Sequence, residues 1–379
     1  MNPDFFIEML EYDSTSGRER AFADFLAERM AGPGRIIEKQ EVHAMAADCP
    51  EGCEVPVNLY VKWGEPEVVF CTHLDTVPPY IPPTASACCH SEESDGGRIC
   101  GRGTCDAKGQ IFSMWEACLE LERKGCTDFG LLLLAGEETG SFGAKAFTME
   151  SDRSDAVVVV GEPTDNHMAS ASKGTKSFEV TFKGEAFHSG YPQYGCSAVE
   201  MFGDFLNALR SIVFPKDEVL GDTTWNIGKL VSDNPQNILS DRLTCRVYFR
   251  TTFESDEMVC NIMKNMAGPD AKLRFGRPRV QDGSDIVAKE VAPWQKSMSV
   301  KAFGGDTPTM YEVLAGFPVK PVAFGSDAPQ LKCFDRKILC GPGSILVAHR
   351  EEEHIKMKDI ETAIGNYVRM YEELTKMSS

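Results

Sequence analysis

Hydrophobic residues in the first part of the chain fall into short unbroken runs. Val68-Val69-Phe70-Cys71, Leu131-Leu132-Leu133-Leu134-Ala135 and Ala156-Val157-Val158-Val159-Val160 are three of them. Runs this short, without polar alternation, read as strands buried on both faces, the habit of a parallel sheet covered by helices. Between the first two runs, residues 107 to 124 carry a helical period. Ile111, Met114, Cys118 and Leu121 share one face there, and Gly125 supplies a stop.

Past Ser172 the period changes. Phe178, Val180 and Phe182 alternate with polar residues, as in a strand with one exposed face. Ala198, Phe202, Phe205, Leu209 and Ile212 mark a helix, and Trp225 with Ile227 begins a second alternating strand. Leu243, Cys245, Val247 and Phe249 make a third strand. Val259, Ile262, Met263 and Met266 fit a second helix, and Leu273 with Phe275 a last short strand. The order β-α-β-β-α-β is that of a ferredoxin-like sandwich. After residue 284 the α/β style returns, and a closing helix buries Ile360, Ile364, Val368 and Tyr371. The stretch from Trp294 to Val322 assigns no element. The expected fold is therefore α/β, over residues 1–172 and 284–379, with an α+β domain inserted at 173–283.

Composition narrows the function. A chain of 379 residues exceeds one ordinary core, in keeping with two domains. The net charge of -18 repels phosphate backbones and anionic lipids, which argues against nucleic acid and membrane partners. No apolar run approaches the roughly 20 residues that span a bilayer. Asp4 and Glu8 stand where a secretory leader needs basic residues, so a cytoplasmic location is expected. In that compartment the 14 cysteines read as free thiols. Cys49, Cys53, Cys88, Cys89 and His90 do not fit the spacing of a standard zinc finger.

The candidate chemistry sits where the apolar runs end. Cys71-Thr72-His73-Leu74-Asp75, Gly136-Glu137-Glu138 and Gly161-Glu162-Pro163 each stand at the end of one run. In open α/β sheets, sites form at the carboxyl ends of strands, so His73, Glu137, Glu138 and Glu162 reach one edge. Singly, each motif has a plain structural reading. His73 and Asp75 suit a histidine satisfied by a carboxylate, and Glu137-Glu138 suits a solvated helix start. Together, adjacent carboxylates beside a core repel unless a cation or proton relieves them. A dication would take one as ligand and leave the other as a base toward water. Asp75 could accept the second ring N–H of His73 and fix its tautomer. In Gly101-Arg102-Gly103-Thr104-Cys105-Asp106-Ala107-Lys108-Gly109, Asp106 suits a helix N-cap or a carboxylate bridging two ions. Gly341-Pro342-Gly343 precedes His349 in a loop that is equally well structural. The mixed imidazole and carboxylate set suits Zn²⁺, with Co²⁺ or Mn²⁺ able to substitute.

These motifs occur in the order of the M20 metallopeptidase family, and over nearly its whole length the chain resembles that family. Within it the chain is most similar to the acetylornithine deacetylase and succinyl-diaminopimelate desuccinylase branch. The resemblance implies two zinc ions, one held by His73 and Glu162, the other by Glu138 and His349, with Asp106 bridging. It implies Asp75 as the residue that orients His73, Glu137 as general base, and a cis peptide between Asp106 and Ala107. The inserted sandwich resembles the family's lid and dimerisation domain. There His188 matches an oxyanion donor, which the resemblance sets in the partner's site of a homodimer. Arg250 and Asn237 match positions that hold a substrate carboxylate, for which the arginine fork is well shaped. The implied substrate is a small N-acyl amino acid, N-acetylornithine first. Other N-acyl amino acids and small peptides share the constellation. A non-catalytic zinc-binding relative would keep the ligands and lose the base. Two positions depart from the family pattern: Ala107 where methionine is common, and Gln110 where a second glycine is common. Both bear on the packing of the bridging loop.

Overall fold

The computed structural model describes residues 1–45, 54–86, 97–149, 155–266 and 298–377. In chain order the main elements begin with α1 (Pro3–Leu10), α2 (Arg20–Met30), β1 (Ile36–Glu41), β2 (Val57–Trp63) and β3 (Val68–His73). There follow α3 (Lys108–Arg123), β4 (Phe129–Leu134), β5 (Val157–Val160), β6 (Gly174–Lys183) and α4 (Ala198–Arg210). Then come β7 (Thr224–Val231), β8 (Arg242–Thr251), α5 (Asp256–Met266), β9 (Met298–Gly304), β10 (Arg336–Leu339) and α6 (Met357–Met377).

The chain divides into two compact units. The first is discontinuous and comprises Met1–Ser170, Met310–Val322 and Ser326–Ser379. Its six-stranded sheet runs in the order β1-β2-β4-β3-β5-β10. β3 lies parallel to both β4 and β5, and β10 extends the parallel set beyond β5. β1 and β2 add an antiparallel edge. Every residue of β3, β4 and β5 is buried. Their unbroken apolar runs follow from that: neither face of these strands meets water. One face packs against α1, α2, α3 and α6 in a core that includes Phe6, Phe22, Phe70, Ile111, Phe112, Leu131 and Tyr367. Gly125, at φ +76, ends α3 in the left-handed conformation a glycine adopts without strain. The first three turns of α3 are buried almost all round, not on one face only.

The second unit comprises Ala171–Thr309 with Ala323–Gly325. Its antiparallel sheet is ordered β7-β8-β6-β9. Phe178, Val180 and Phe182 of β6 and Leu243, Cys245, Val247 and Phe249 of β8 turn one face toward α4 and α5. That is the alternation expected of strands half in water. The strand expected at Leu273 and Phe275 lies outside the described residues. The strand that completes the sheet beside β6 is β9. The unit thus continues past residue 283, where the pattern put its end. β9 reads Met-Ser-Val-Lys-Ala-Phe-Gly, and most of its residues are exposed, so its apolar signal is weak.

Candidate metal centre

The register of the parallel strands builds the centre. His73, the last residue of β3, pairs with Leu134, the last of β4. Glu137 and Glu138 follow that end within one turn. The Gly161 N–H donates to the Cys71 carbonyl, and the Thr72 hydroxyl donates to the Gly161 carbonyl. These bonds hold the segment leading to Glu162 against the end of β3. From the end of the neighbouring strand β10, the Gly341-Pro342-Gly343 turn lies on this segment so closely that a Cβ at Gly341 would stand 2.6 Å from the Glu162 carbonyl oxygen. Only glycine fits there.

Asp106 stands at the middle. Its Oδ1 is 3.0 Å from His73 Nε2, and its Oδ2 is 3.2 Å from His349 Nε2. His349 Nε2 is also 2.9 Å from Glu138 Oε1. Ligand atoms of His73, Asp106 and Glu138 lie within 4.8 Å of one another, the one such three-residue group among the described residues. Asp106 does not cap α3: the N-cap is Ala107, and no side chain caps the helix. The Asp106–Ala107 peptide is cis.

Asp75 organises the surroundings through its carboxylate. That group accepts from the Glu137 N–H at 2.9 Å, the Glu138 N–H at 3.2 Å and the Ser16 hydroxyl at 2.7 Å. The ring of His73 is oriented chiefly by the Asp75 main-chain carbonyl, 2.9 Å from Nδ1, with the carboxylate at 3.4 Å. A carbonyl only accepts, so Nδ1 carries a proton, and Nε2, the atom that faces Asp106, is the one left with a lone pair when the ring gives up its second proton.

The electrostatics suit a cation. Burial pushes the Glu137, Glu138 and Glu162 carboxyls above their ordinary range, and neighbouring carboxylates add to the push. Burial works the same way on Asp106, but the two histidines outweigh it and hold the group well below its usual value. Burial disfavours a charged His73, yet Asp106 and Asp75 carry its pKa well above the ordinary value. Hydrogen bonds to Asp106 and Glu138 raise His349 to about 10. So many acids in one buried place carry a desolvation and repulsion cost that a dication offsets. The residues present therefore fit a divalent metal site. His73, Asp106, Glu138, Glu162 and His349 would hold it, and Glu137 stands beside them.

The profile of peptidase family M20/M25/M40 matches residues 69–373 of this sequence. The chain belongs to this family. Among M20/M25/M40 relatives, a protein named probable carboxypeptidase from Uncinocarpus reesii is 31% identical over 392 residues, covering 96% of this chain and 84% of its own. A probable carboxypeptidase from Aspergillus terreus is 29% identical over 396 residues, covering 97% of this chain and 85% of its own. A tripeptidase from Staphylococcus aureus superposes with a TM-score of 0.75 at 17% identity, covering 99% of this chain and 98% of that one, which shows a shared fold.

The remaining candidates of this M20/M25/M40 chain lie in the second unit. His188 is exposed, and it forms a bridge with Ile238. The Ser189 N–H donates to the Asn237 carbonyl, so His188 and Asn237 are brought together. Arg250 is not with them. It pairs in register with Thr175, at the other end of β6 from Lys183, and its guanidinium lies 5.1 Å from the Tyr248 ring. The motifs gave no role to Ser16, Arg102, Gln110 or Glu353, all of which touch the centre's loops. Cys71, Cys105, Cys118, Cys126, Cys245, Cys260, Cys333 and Cys340 are free thiols, and Cys49, Cys53, Cys88, Cys89 and His90 lie outside the described residues. No described helix is long and apolar enough to cross a membrane.

Proposed function

We propose that the chain hydrolyses the amide bond of a small peptide or N-acyl amino acid whose leaving amine carries a free carboxylate. The observation that carries this is Asp106, with one oxygen toward each of two imidazoles and the Glu137-Glu138 pair alongside. A divalent pair in this cluster, Zn²⁺ with Co²⁺ or Mn²⁺ as substitutes, would polarise the scissile carbonyl and acidify water. Glu137, raised by burial, is suited to take a proton from water and return it to the leaving amine. Asp75 holds the main chain of Glu137 and Glu138 while it does so. Arg250 of one chain, with Asn237 of a second copy, would bind the carboxylate, and His188 of that second copy would donate to the oxyanion.

A C-terminal peptide bond and an N-acyl amino acid present the same group, an amide followed by a carboxylate. The carboxypeptidase names of the relatives favour the peptide over N-acetylornithine. The position of His188 supports its acting across a homodimer. Between Arg242, paired with Lys183, and Arg250, paired with Thr175, β8 extends roughly 25–30 Å. One small substrate does not span that distance, so His188 and Arg250 of one chain would serve different sites. A cytoplasmic location fits the same reading.

The test is a substrate panel with the zinc- or cobalt-loaded protein. It compares dipeptides, tripeptides and N-acetyl and N-succinyl amino acids, each with a free or an amidated C-terminus. Turnover is expected with free carboxylates alone. Equal cleavage of the amidated forms refutes the substrate class, and no turnover of any member favours the non-catalytic metal-binding reading.

A further inference from the structure

Two of the loops that meet at Asp106 are joined by the carboxylate of Glu353. Glu353 is fully buried, four residues beyond His349. Its Oε1 accepts from two consecutive main-chain groups, the Cys105 N–H at 3.0 Å and the Asp106 N–H at 3.1 Å. Its Oε2 accepts from Arg102 at 2.6 Å. Its own carbonyl accepts from the Gly101 N–H at 2.9 Å. Arg102, 2% exposed, also donates to the carbonyls of Arg350 at 3.2 Å and Pro79 at 3.2 Å. One ion pair thus ties the loop of Asp106 to the segment of His349, which meets the same aspartate from its other oxygen.

We propose that Glu353 is a positioning residue of the metal centre: it fixes the Asp106 main chain relative to His349, and Arg102 holds its charge in place. This rests on the reading of the cluster as a metal site. The physical basis is direction. Two adjacent N–H groups on a single oxygen fix the orientation of the peptide preceding Asp106, and so the line along which its side chain leaves the backbone. A charged acceptor makes these bonds stronger than a neutral one does. Partners behind the ligands commonly govern metal affinity by ten- to a hundredfold. The charge also needs its counterion, because a lone buried carboxylate is costly.

The deciding variant is Glu353→Gln, which keeps the shape and one accepting oxygen but loses the charge. Zinc dissociation constants of the full-length protein are measured by competition with a chelating indicator, and the melting temperature of the metal-free protein is measured alongside. Expected is a rise of fivefold or more in the zinc dissociation constant of Glu353→Gln. Glu353→Ala, where it folds, should show a larger rise. A rise of less than fivefold in Glu353→Gln, with only the metal-free melting temperature lowered, overturns the proposal and leaves a purely structural ion pair. Absence of zinc binding by the unaltered protein overturns the metal reading itself, and this inference with it.

Discussion

Replacing Asp75 with asparagine tests whether the base and its neighbour are held through this one carboxylate. The substitution preserves shape in a fully buried position. The carboxylate takes two main-chain N–H bonds, one from Glu137 on Oδ1 and one from Glu138 on Oδ2. Hydrogen bonds to a charged group contribute roughly 1.5–3 kcal/mol each, and neutral ones roughly 0.5–1.5. An asparagine keeps one oxygen and turns an NH₂ toward the other donor. The loss over both bonds is then about 2–3 kcal/mol, or roughly a hundredfold in rate if it falls on the transition state. Single-turnover and steady-state kinetics of Asp75→Asn, with metal content measured on the same sample, give the answer. We expect kcat to fall by about two orders of magnitude at full metal content. A variant with full metal and kcat within threefold of the parent would refute the role given to Asp75.

Glu137→Gln should abolish turnover with metal content unchanged, whereas Glu138→Gln should lose metal, since a neutral amide is a poorer ligand; elemental analysis beside the activity assay separates the two. The metal-free protein should lose stability as pH rises. Glu19 is carried from 4.5 to about 8 by burial and then by Asp75, and His349 from 6.5 to about 10 by Asp106 and then Glu138. Both hold protons more tightly folded than unfolded, so their contribution is complete below the lower values and is lost as pH climbs through the upper ones. Melting temperatures across pH 6.5 to 10 should fall without metal and fall less with zinc; a flat or rising metal-free profile contradicts this. His188→Ala should lower kcat by about a hundredfold or more at normal zinc content. Mixed with Glu137→Gln under subunit exchange it should recover activity, and no recovery places His188 in its own chain's site or in none.

The catalytic sheet was legible because its strands are buried on both faces. The runs at Val68, Leu131 and Val157 carry no competing period, and the acidic and histidine residues at their ends stand out against them. β9 was not legible, because an edge strand with most of its residues in water has little apolar signal. The supporting bonds of the centre were invisible for another reason. Ser16, Arg102, Gln110 and Glu353 are ordinary polar residues whose partners lie far along the chain or on main-chain atoms. Gln110 shows this well. As a departure from the family pattern it put the bridging loop in question, yet it is fully buried and donates to the Cys105 carbonyl at 3.0 Å and the Pro342 carbonyl at 2.8 Å. It thereby ties the loop of Asp106 to the turn that precedes His349. The role expected of the Asp75 side chain falls largely to its main-chain oxygen, which no residue pattern encodes.

The interrupted first unit also sets an order of assembly during synthesis. β5 is complete at Val160, but its parallel neighbour β10 begins only at Arg336. At roughly 5–20 residues per second, a ribosome takes on the order of ten to forty seconds to make the intervening chain. Through that interval the outer edge of a valine-rich strand has main-chain donors and acceptors without their eventual partners, the condition that invites pairing with another chain. His349 and Glu353 emerge later still. The centre therefore cannot close around a cation until synthesis has passed His349 and Glu353. A chaperone that shields the β5 edge during those seconds would raise the yield of active protein more than one that acts on the finished chain.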